Sequence, residues 1–178
     1  MNKSKYLLGG ALVATAAYMA YNECKTKPAK AVPVQPFDQE KYLGKWYEIA
    51  RIDFFFERHL SNTTAEYSLN EDGTIRVKNR GFNTKKGEWE ESIGQAKMAG
   101  EPDEAKLKVS FFGPFYSGYN VIAIDENYNN ALVCGKNLGY LWILSRKKTI
   151  SERTKSKFLK IAESIGYNTS RLIWVDHD

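Results

Sequence analysis

From Gly44 onward, short apolar segments alternate with clusters of turn-forming residues. β-branched and aromatic residues dominate the segments, whereas Gly, Asn, Asp and Pro dominate the separators. Short strands bounded by such separators are typical of hairpins in an all-β sandwich or barrel. Eight strands are predicted, over residues 46–52, 63–69, 74–82, 89–98, 107–112, 119–124, 131–135 and 140–146. No helical pattern separates them, which excludes a parallel βαβ sheet.

A helical pattern follows the last of these strands. In residues 151–165, apolar side chains recur at three- and four-residue spacing from Phe158 to Ile165, while lysines fill the opposite face. Ser151 suits the N-cap and Gly166 the C-terminal stop. We expect one amphipathic helix packed on the outside of the sheet, followed by a short strand over residues 172–175.

The net charge of +5 belongs to the N-terminal segment. Residues 1–31 hold five of the 26 Lys and Arg and one of the 21 Asp and Glu, so residues 32–178 carry only +1. The body therefore gives no electrostatic case for a nucleic-acid partner. Two cysteines and two histidines are too few for a disulfide framework or a four-ligand zinc site, and no metal or cofactor is expected.

Residues 1–31 have the pattern of an export signal. Two lysines precede an uncharged apolar stretch over residues 7–21, which is shorter than the ~17–25 residues of a membrane-spanning helix. Three fates stay open for this leader: lipidation at Cys24, cleavage, or retention as an anchor that associates with a membrane. Prolines and lysines over residues 25–36 are typical of a tether, and we assign residues 32–36 to a linker and 37–178 to the domain.

Hairpin connections of an up-and-down sheet fall at alternate ends, and this sorts the loops into two sets. The loops over residues 70–73, 100–104 and 125–130 are polar, whereas the opposite set contains the aromatic segments 53–56 and 111–119. Exposed apolar clusters mark binding surfaces, so the aromatic end is the predicted mouth of a cavity. Phe55 and Arg80 are predicted at this mouth. Arg80 is a candidate partner for an anionic head group, with solvated surface charge as the alternative.

Two-residue alternation predicts an apolar interior. The residues expected to line it and to bind a ligand are Tyr67, Val77, Phe111, Phe115, Tyr116, Tyr119 and Trp142. Such a lining suits an acyl chain or another hydrophobic small molecule, and a filled core without a cavity is the alternative. Glu48 shares parity with Trp46 and is predicted to point inward, where a structural hydrogen bond is expected rather than catalysis.

Three short motifs in order resemble those of the lipocalin family. They are carried by Gly44 and Trp46 (G-x-W), by Asp125 and Tyr128 with Ile124 in place of threonine, and by Arg146 at the end of the eighth strand. The resemblance covers about residues 37–175, and the stretches 107–116 and 140–146 are similar to the bacterial branch related to apolipoprotein D. It implies an eight-stranded antiparallel up-and-down β-barrel with one C-terminal α-helix packed outside. The motif residues then seal the polar end, with Arg146 over the Trp46 ring.

The resemblance also implies a function without covalent chemistry. It indicates a lipid carrier at the outer membrane or in the periplasm that stores or transports fatty acids or lysophospholipids for membrane maintenance. Two alternatives stay open: a carrier of a pigment or haem, and a small-molecule isomerase that uses Cys134 inside the barrel. No catalytic set is apparent, because His59 and His177 fall in a loop and the tail, so the chain is not expected to be an enzyme.

Overall fold

Nine antiparallel strands form the body of the protein, in a computed structural model that describes residues 26–53 and 57–178. Residues 1–25 of the leader, with Cys24, and Phe55 lie outside the described residues. The strands are β1 (Gly44–Ile52), β2 (Leu60–Leu69), β3 (Ile75–Asn83), β4 (Glu88–Met98), β5 (Lys106–Phe112), β6 (Phe115–Ile124), β7 (Asn130–Gly135), β8 (Leu141–Ser145) and β9 (Leu172–Trp174). A short helix α1 (Gln39–Tyr42) precedes β1, and α2 (Glu152–Ile165) follows β8. A 3-10 turn, Thr169–Arg171, leads into β9.

The sheet closes into a barrel through β1. Strands β2 to β7 each pair with the next strand along the chain, and β1 pairs with both β2 and β8. Residues 44–47 of β1 face β2, whereas residues 47–51 face β8. Beyond residue 47, the edge of β1 that faced β2 is taken by β9, which pairs with residues 50–52. The predicted eight-stranded up-and-down barrel is confirmed, as is the short terminal strand.

Two apolar clusters lie on the two faces of the sheet. The inner cluster includes Trp46, Tyr67 and Leu107, and the outer cluster joins the barrel wall to Phe158 and Ala162 of α2. The helix begins as predicted, with Ser151 Oγ accepting a hydrogen bond from the backbone N–H of Thr154 at 3.1 Å. Gly166 ends it with a φ of 112°, a left-handed conformation that glycine adopts without strain. Packing of α2 outside the barrel therefore gives the sheet a second buried face.

The polar end of the barrel is closed by the motif residues. The Arg146 guanidinium lies 3.8 Å from the centroid of the Trp46 ring. It donates hydrogen bonds to the carbonyls of Lys41, Leu43 and Lys45, each at 2.8 Å. Asp125, at the same end, accepts a hydrogen bond from the backbone N–H of Asn129 and holds the β6–β7 turn.

The hydroxyl of Tyr128 accepts a hydrogen bond from the backbone N–H of Asp38 at 2.8 Å. The carbonyl of Tyr128 accepts a second one from Nε of Arg146 at 3.3 Å. The β6–β7 turn is thereby fastened to the start of α1 and to the end of β8. This end of the barrel is the floor beneath the interior.

The segment over residues 26–36, predicted as a tether, packs along the barrel wall instead. The backbone of Val34 donates to the carbonyl of Val121 and accepts from the N–H of Ala105, both at 2.9 Å. Ala31 is fully buried in the outer cluster, while Val32 is 75% exposed. Alternating small apolar residues and prolines favour an extended chain with one face on the wall, so this segment is a strap rather than a free spacer. No helix within residues 26–53 and 57–178 is both long and apolar enough to cross a membrane.

Candidate ligand cavity

A cavity of about 570 Å³ occupies the barrel interior. Its wall runs from Tyr42 above the floor to Phe112 and Phe115 in the hairpin that joins β5 and β6. These two phenylalanines are 74% and 78% exposed, so they form an apolar rim in contact with solvent. The volume lies within the ~300–1,000 Å³ typical of small-ligand sites. The interior is therefore a cavity and not a core filled by side chains.

The residues predicted to bind ligand are placed along this cavity. Its lining includes Tyr67, Val77, Phe111, Phe115, Tyr116, Tyr119 and Trp142. Arg80 also lines it, with its guanidinium 4.2 Å from the centroid of the Trp89 ring. Arg80 is thus stacked on an aromatic face, and its contact with an anionic head group stays a prediction. Phe55, the other residue predicted at the mouth, is outside the described residues.

Three tyrosine hydroxyls meet on the cavity wall. Tyr119 shares its hydroxyl with those of Tyr42 at 2.6 Å and Tyr67 at 2.7 Å. Burial raises the pKa of Tyr67 to about 12 and those of Tyr42 and Tyr119 well above their ordinary value, so all three hydroxyls are protonated at neutral pH. Each hydroxyl has one proton to donate, and two hydrogen bonds use two of the three. Tyr42 was not predicted because it belongs to α1, which precedes the first predicted strand.

A buried ion pair stands on the inner face of β1. Oε1 of Glu48 lies 2.6 Å from Nη1 of Arg51, and both side chains are almost fully buried. Strict alternation would place these residues on opposite faces of the strand. A register shift between Glu48 and Ala50 in the pairing with β8 adds one residue and turns Arg51 inward. Glu48 therefore points inward and has a structural partner, as predicted, whereas Arg51 was not predicted there.

Glu57 joins this pair from the connection between β1 and β2. Its carboxylate accepts a hydrogen bond from Nε1 of Trp142 at 3.1 Å. Nη2 of Arg51 donates to the backbone carbonyls of Glu57 at 2.6 Å and Leu60 at 3.0 Å. Glu57 lies in a loop, where no periodicity shows the direction of a side chain. The sequence consequently contained no signal for its position.

Burial controls the protonation of the two carboxyls. Desolvation, reinforced by the charge of Glu57, raises the pKa of Glu48 from 4.5 to about 8 against the opposing effect of Arg51. Desolvation also raises the pKa of Glu57, although Trp142 and Arg51 stabilise its anion. Two carboxyls share one guanidinium, so the pair holds a proton more readily than exposed carboxyls do.

Cys134 lies in the outer cluster between the sheet and α2, and it is fully buried. Burial raises the pKa of its thiol to about 11, so the thiol is protonated and unreactive at neutral pH. It does not line the cavity, and neither does His59 or His177. The placement of Cys134 inside the barrel, on which the isomerase alternative depends, is wrong. Within the described part of the chain, no group of His, Cys, Asp and Glu side chains is arranged to hold a metal ion.

Comparison with known proteins agrees with this architecture. Residues 37–177 match the family model of the lipocalin-like domain. The chain is 51% identical to the outer membrane lipoprotein Blc of Escherichia coli (strain K12), over 91% of this chain and 92% of that protein. It is 34% identical to apolipoprotein D of Mus musculus, over 81% of this chain and 79% of that protein.

A solved structure supports the fold alone. Insecticyanin from the tobacco hornworm Manduca sexta superposes with a TM-score of 0.67 and 24% identity, over 84% of this chain and 85% of that one. The motifs, the closed barrel with its outer helix and these relatives lead to one conclusion: the chain belongs to the lipocalin family, whose members bind hydrophobic small molecules, and is related to the bacterial lipoprotein Blc and to apolipoprotein D.

Proposed function

We propose that this lipocalin stores or transports fatty acids or lysophospholipids for maintenance of the cell-envelope membranes. The acyl chain lies in the cavity, above the floor closed by Trp46 and Arg146, and the polar head stays near the mouth. The observation that carries this proposal is the apolar cavity of about 570 Å³, which ends at the exposed rings of Phe112 and Phe115. Burial of an acyl chain in such a cavity contributes about 0.8 kcal/mol per methylene group.

The proposal includes an envelope location, at the outer membrane or in the periplasm. The relatives named outer membrane lipoprotein Blc support it, as does the charged and apolar pattern of residues 1–31. Of the three fates of the leader, packing of the strap favours those that retain Thr26 and Ala31 in the mature chain. Lipidation at Cys24 and retention as an anchor both do so, whereas cleavage after Ala31 removes a fully buried residue.

Native mass spectrometry and fluorescence displacement test the lipid assignment. We expect the wild-type protein to hold a fatty acid or a lysophospholipid, and Trp142→Ala to weaken binding by about tenfold, equivalent to ~1.4 kcal/mol. Trp174→Ala is the matched control, because Trp174 lies in β9 and does not line the cavity. If no fatty acid or lysolipid binds to the wild-type protein, the lipid assignment is wrong.

A further inference from the structure

One side of the cavity carries polar residues that have no role in binding the acyl chain. We call it the acidic corner and define it as Glu48, Glu57 and Thr63, all of which line the cavity. Glu48 and Thr63 come from neighbouring strands, each one residue beyond the last β1–β2 pair, which joins Tyr47 and Thr64. Glu57 reaches the same wall through its bond to Trp142.

Thr63 gives independent evidence that the acidic corner lacks a hydrogen-bond partner. Thr63 is only 5% exposed, and its Oγ1 has no hydrogen-bond partner among the described residues. A buried hydroxyl without a partner costs free energy, and such a group is satisfied by water or by a ligand. Thr63 lines the cavity, so a ligand that enters this wall can supply the missing partner.

The charges of the corner decide which ligand group suits it. Two carboxyls face one guanidinium, and Arg51 already donates to Glu48 and to the carbonyls of Glu57 and Leu60. Arg51 itself does not line the cavity. The corner therefore has one carboxyl more than its guanidinium can balance, and because burial raises the pKa of both carboxyls, the corner retains a proton that a bound cation can replace. A ligand carboxylate would place a third carboxyl beside one guanidinium, whereas an ammonium group supplies N–H donors and the positive charge that takes the place of the retained proton.

We propose that the acidic corner binds the ammonium group of an amine-bearing amphiphile, with Glu48 and Glu57 as the charged acceptors and Thr63 as a neutral one. This inference rests on the proposed function, because it names the head-group chemistry of the ligand that the cavity holds. Within the lipid classes proposed above, it favours a lysophospholipid with an amino head group over a free fatty acid.

Three ligands with the same alkyl chain test the head group alone: dodecylamine, dodecanol and dodecanoic acid. Each ligand competes, below its critical micelle concentration, with a fluorescent probe bound in the cavity. We expect the wild-type protein to bind the amine about tenfold more tightly than the acid, with the alcohol between them. Glu57→Gln keeps an acceptor for Trp142 but removes the charge, and it should reduce the preference for the amine to less than about threefold. Lysophosphatidylethanolamine and lysophosphatidylglycerol of equal chain length should repeat the order.

Matched variants separate the corner from general effects of charge. Glu66→Gln makes the same chemical change on the outer, exposed face of β2 and should leave the preference intact. Thr63→Val keeps the shape of the side chain and should weaken amine binding while alkyl-chain binding persists. Equal binding of all three ligands to the wild-type protein, or an amine preference that survives in both Glu48→Gln and Glu57→Gln, would overturn the inference while leaving lipid binding intact. Failure of every alkyl ligand and lysolipid to bind would overturn the proposed function as well.

Discussion

Glu48 and Arg51 form an ion pair inside the barrel, with 2.6 Å between Oε1 and Nη1, although they are three residues apart in one β-strand. The pair exists because an additional residue shifts the register of β1 against β8. The guanidinium of Arg51 also holds the carbonyls of Glu57 and Leu60, and thereby fixes the chain where it enters β2. One irregular strand position thus determines both the charge in the cavity and the course of the adjoining loop.

Replacement of Arg51 by methionine should destabilise the protein by about 3–5 kcal/mol at pH 8, because the buried Glu48 carboxylate and two carbonyls lose their partner. Chemical denaturation measures this change. Arg76→Met is the control, since Arg76 is exposed on β3, and it should change the free energy of unfolding by less than about 0.5 kcal/mol. Equal effects of the two substitutions would show that the ion pair contributes nothing to stability.

The buried Glu48 should make stability fall as the pH rises. Its pKa is about 8 in the folded protein and 4.5 when exposed, so the folded state binds more protons between these values. The free energy of unfolding therefore decreases from pH 4.5 through pH 8, and the Glu48 contribution is constant below pH 4.5. The ionisable groups that face Glu48 are Arg51, Glu57 and Tyr67.

Denaturant titrations across this pH range provide the measurement. Glu48→Gln should flatten the decrease, whereas Glu66→Gln, which removes an exposed carboxylate from β2, should leave its slope unchanged. A wild-type protein that becomes more stable between pH 4.5 and pH 8, with Glu48→Gln following the same curve, would contradict the assignment.

Filling the cavity should abolish ligand binding without loss of the fold. Val77 is 3% exposed and lines the cavity, so Val77→Trp places an indole where an acyl chain would lie. We expect lysolipid affinity to fall by more than about tenfold, with a stability change of ~1–3 kcal/mol from overpacking. Circular dichroism and fluorescence displacement separate the two effects. Ile93→Trp, on an exposed position of β4, should retain wild-type affinity, and full affinity in Val77→Trp would place the ligand elsewhere.

The strap should contribute measurable stability through one face only. Ala31 is fully buried and Val32 is 75% exposed, so adjacent substitutions have opposite consequences. Ala31→Asp introduces a carboxylate into the outer cluster and should reduce the free energy of unfolding by more than about 2 kcal/mol. Val32→Asp should be nearly neutral. Similar thermal unfolding of both variants would mean that the strap is detached in solution.

The barrel was predictable because its signals are local. Each hairpin carries its own turn residues, and the apolar alternation of β2, β3 and β5 survives in the structure as one face toward the cavity. The strands β2 and β6 begin earlier than predicted because backbone pairing continues into the connections, as between Phe112 and Phe115. Polarity marks where a strand faces water, but backbone hydrogen bonds decide where it begins.

The acidic corner was only half predictable. Glu48 follows the parity of Trp46, but the bulge beyond it leaves no trace in the sequence, because Ile49 and Ala50 are both apolar and both buried on the outer side by α2. Strict alternation from Glu48 would therefore place Arg51 on the outer face. The strap was missed for a related reason: proline-rich composition indicates an extended chain but does not show whether that chain has a surface to pack on.

The strap also determines how a pulling force would enter the molecule. Its first described residue, Thr26, lies against β6, with its carbonyl so close to Gly118 that a Cβ atom at this position would clash with it. Gly118 stands in the half of β6 that begins at the aromatic rim, and the strap runs from there to Asp103 at the floor. Tension applied upstream of Thr26 is therefore carried as shear along the barrel wall. A barrel held in this way would turn its aromatic rim toward the point of attachment.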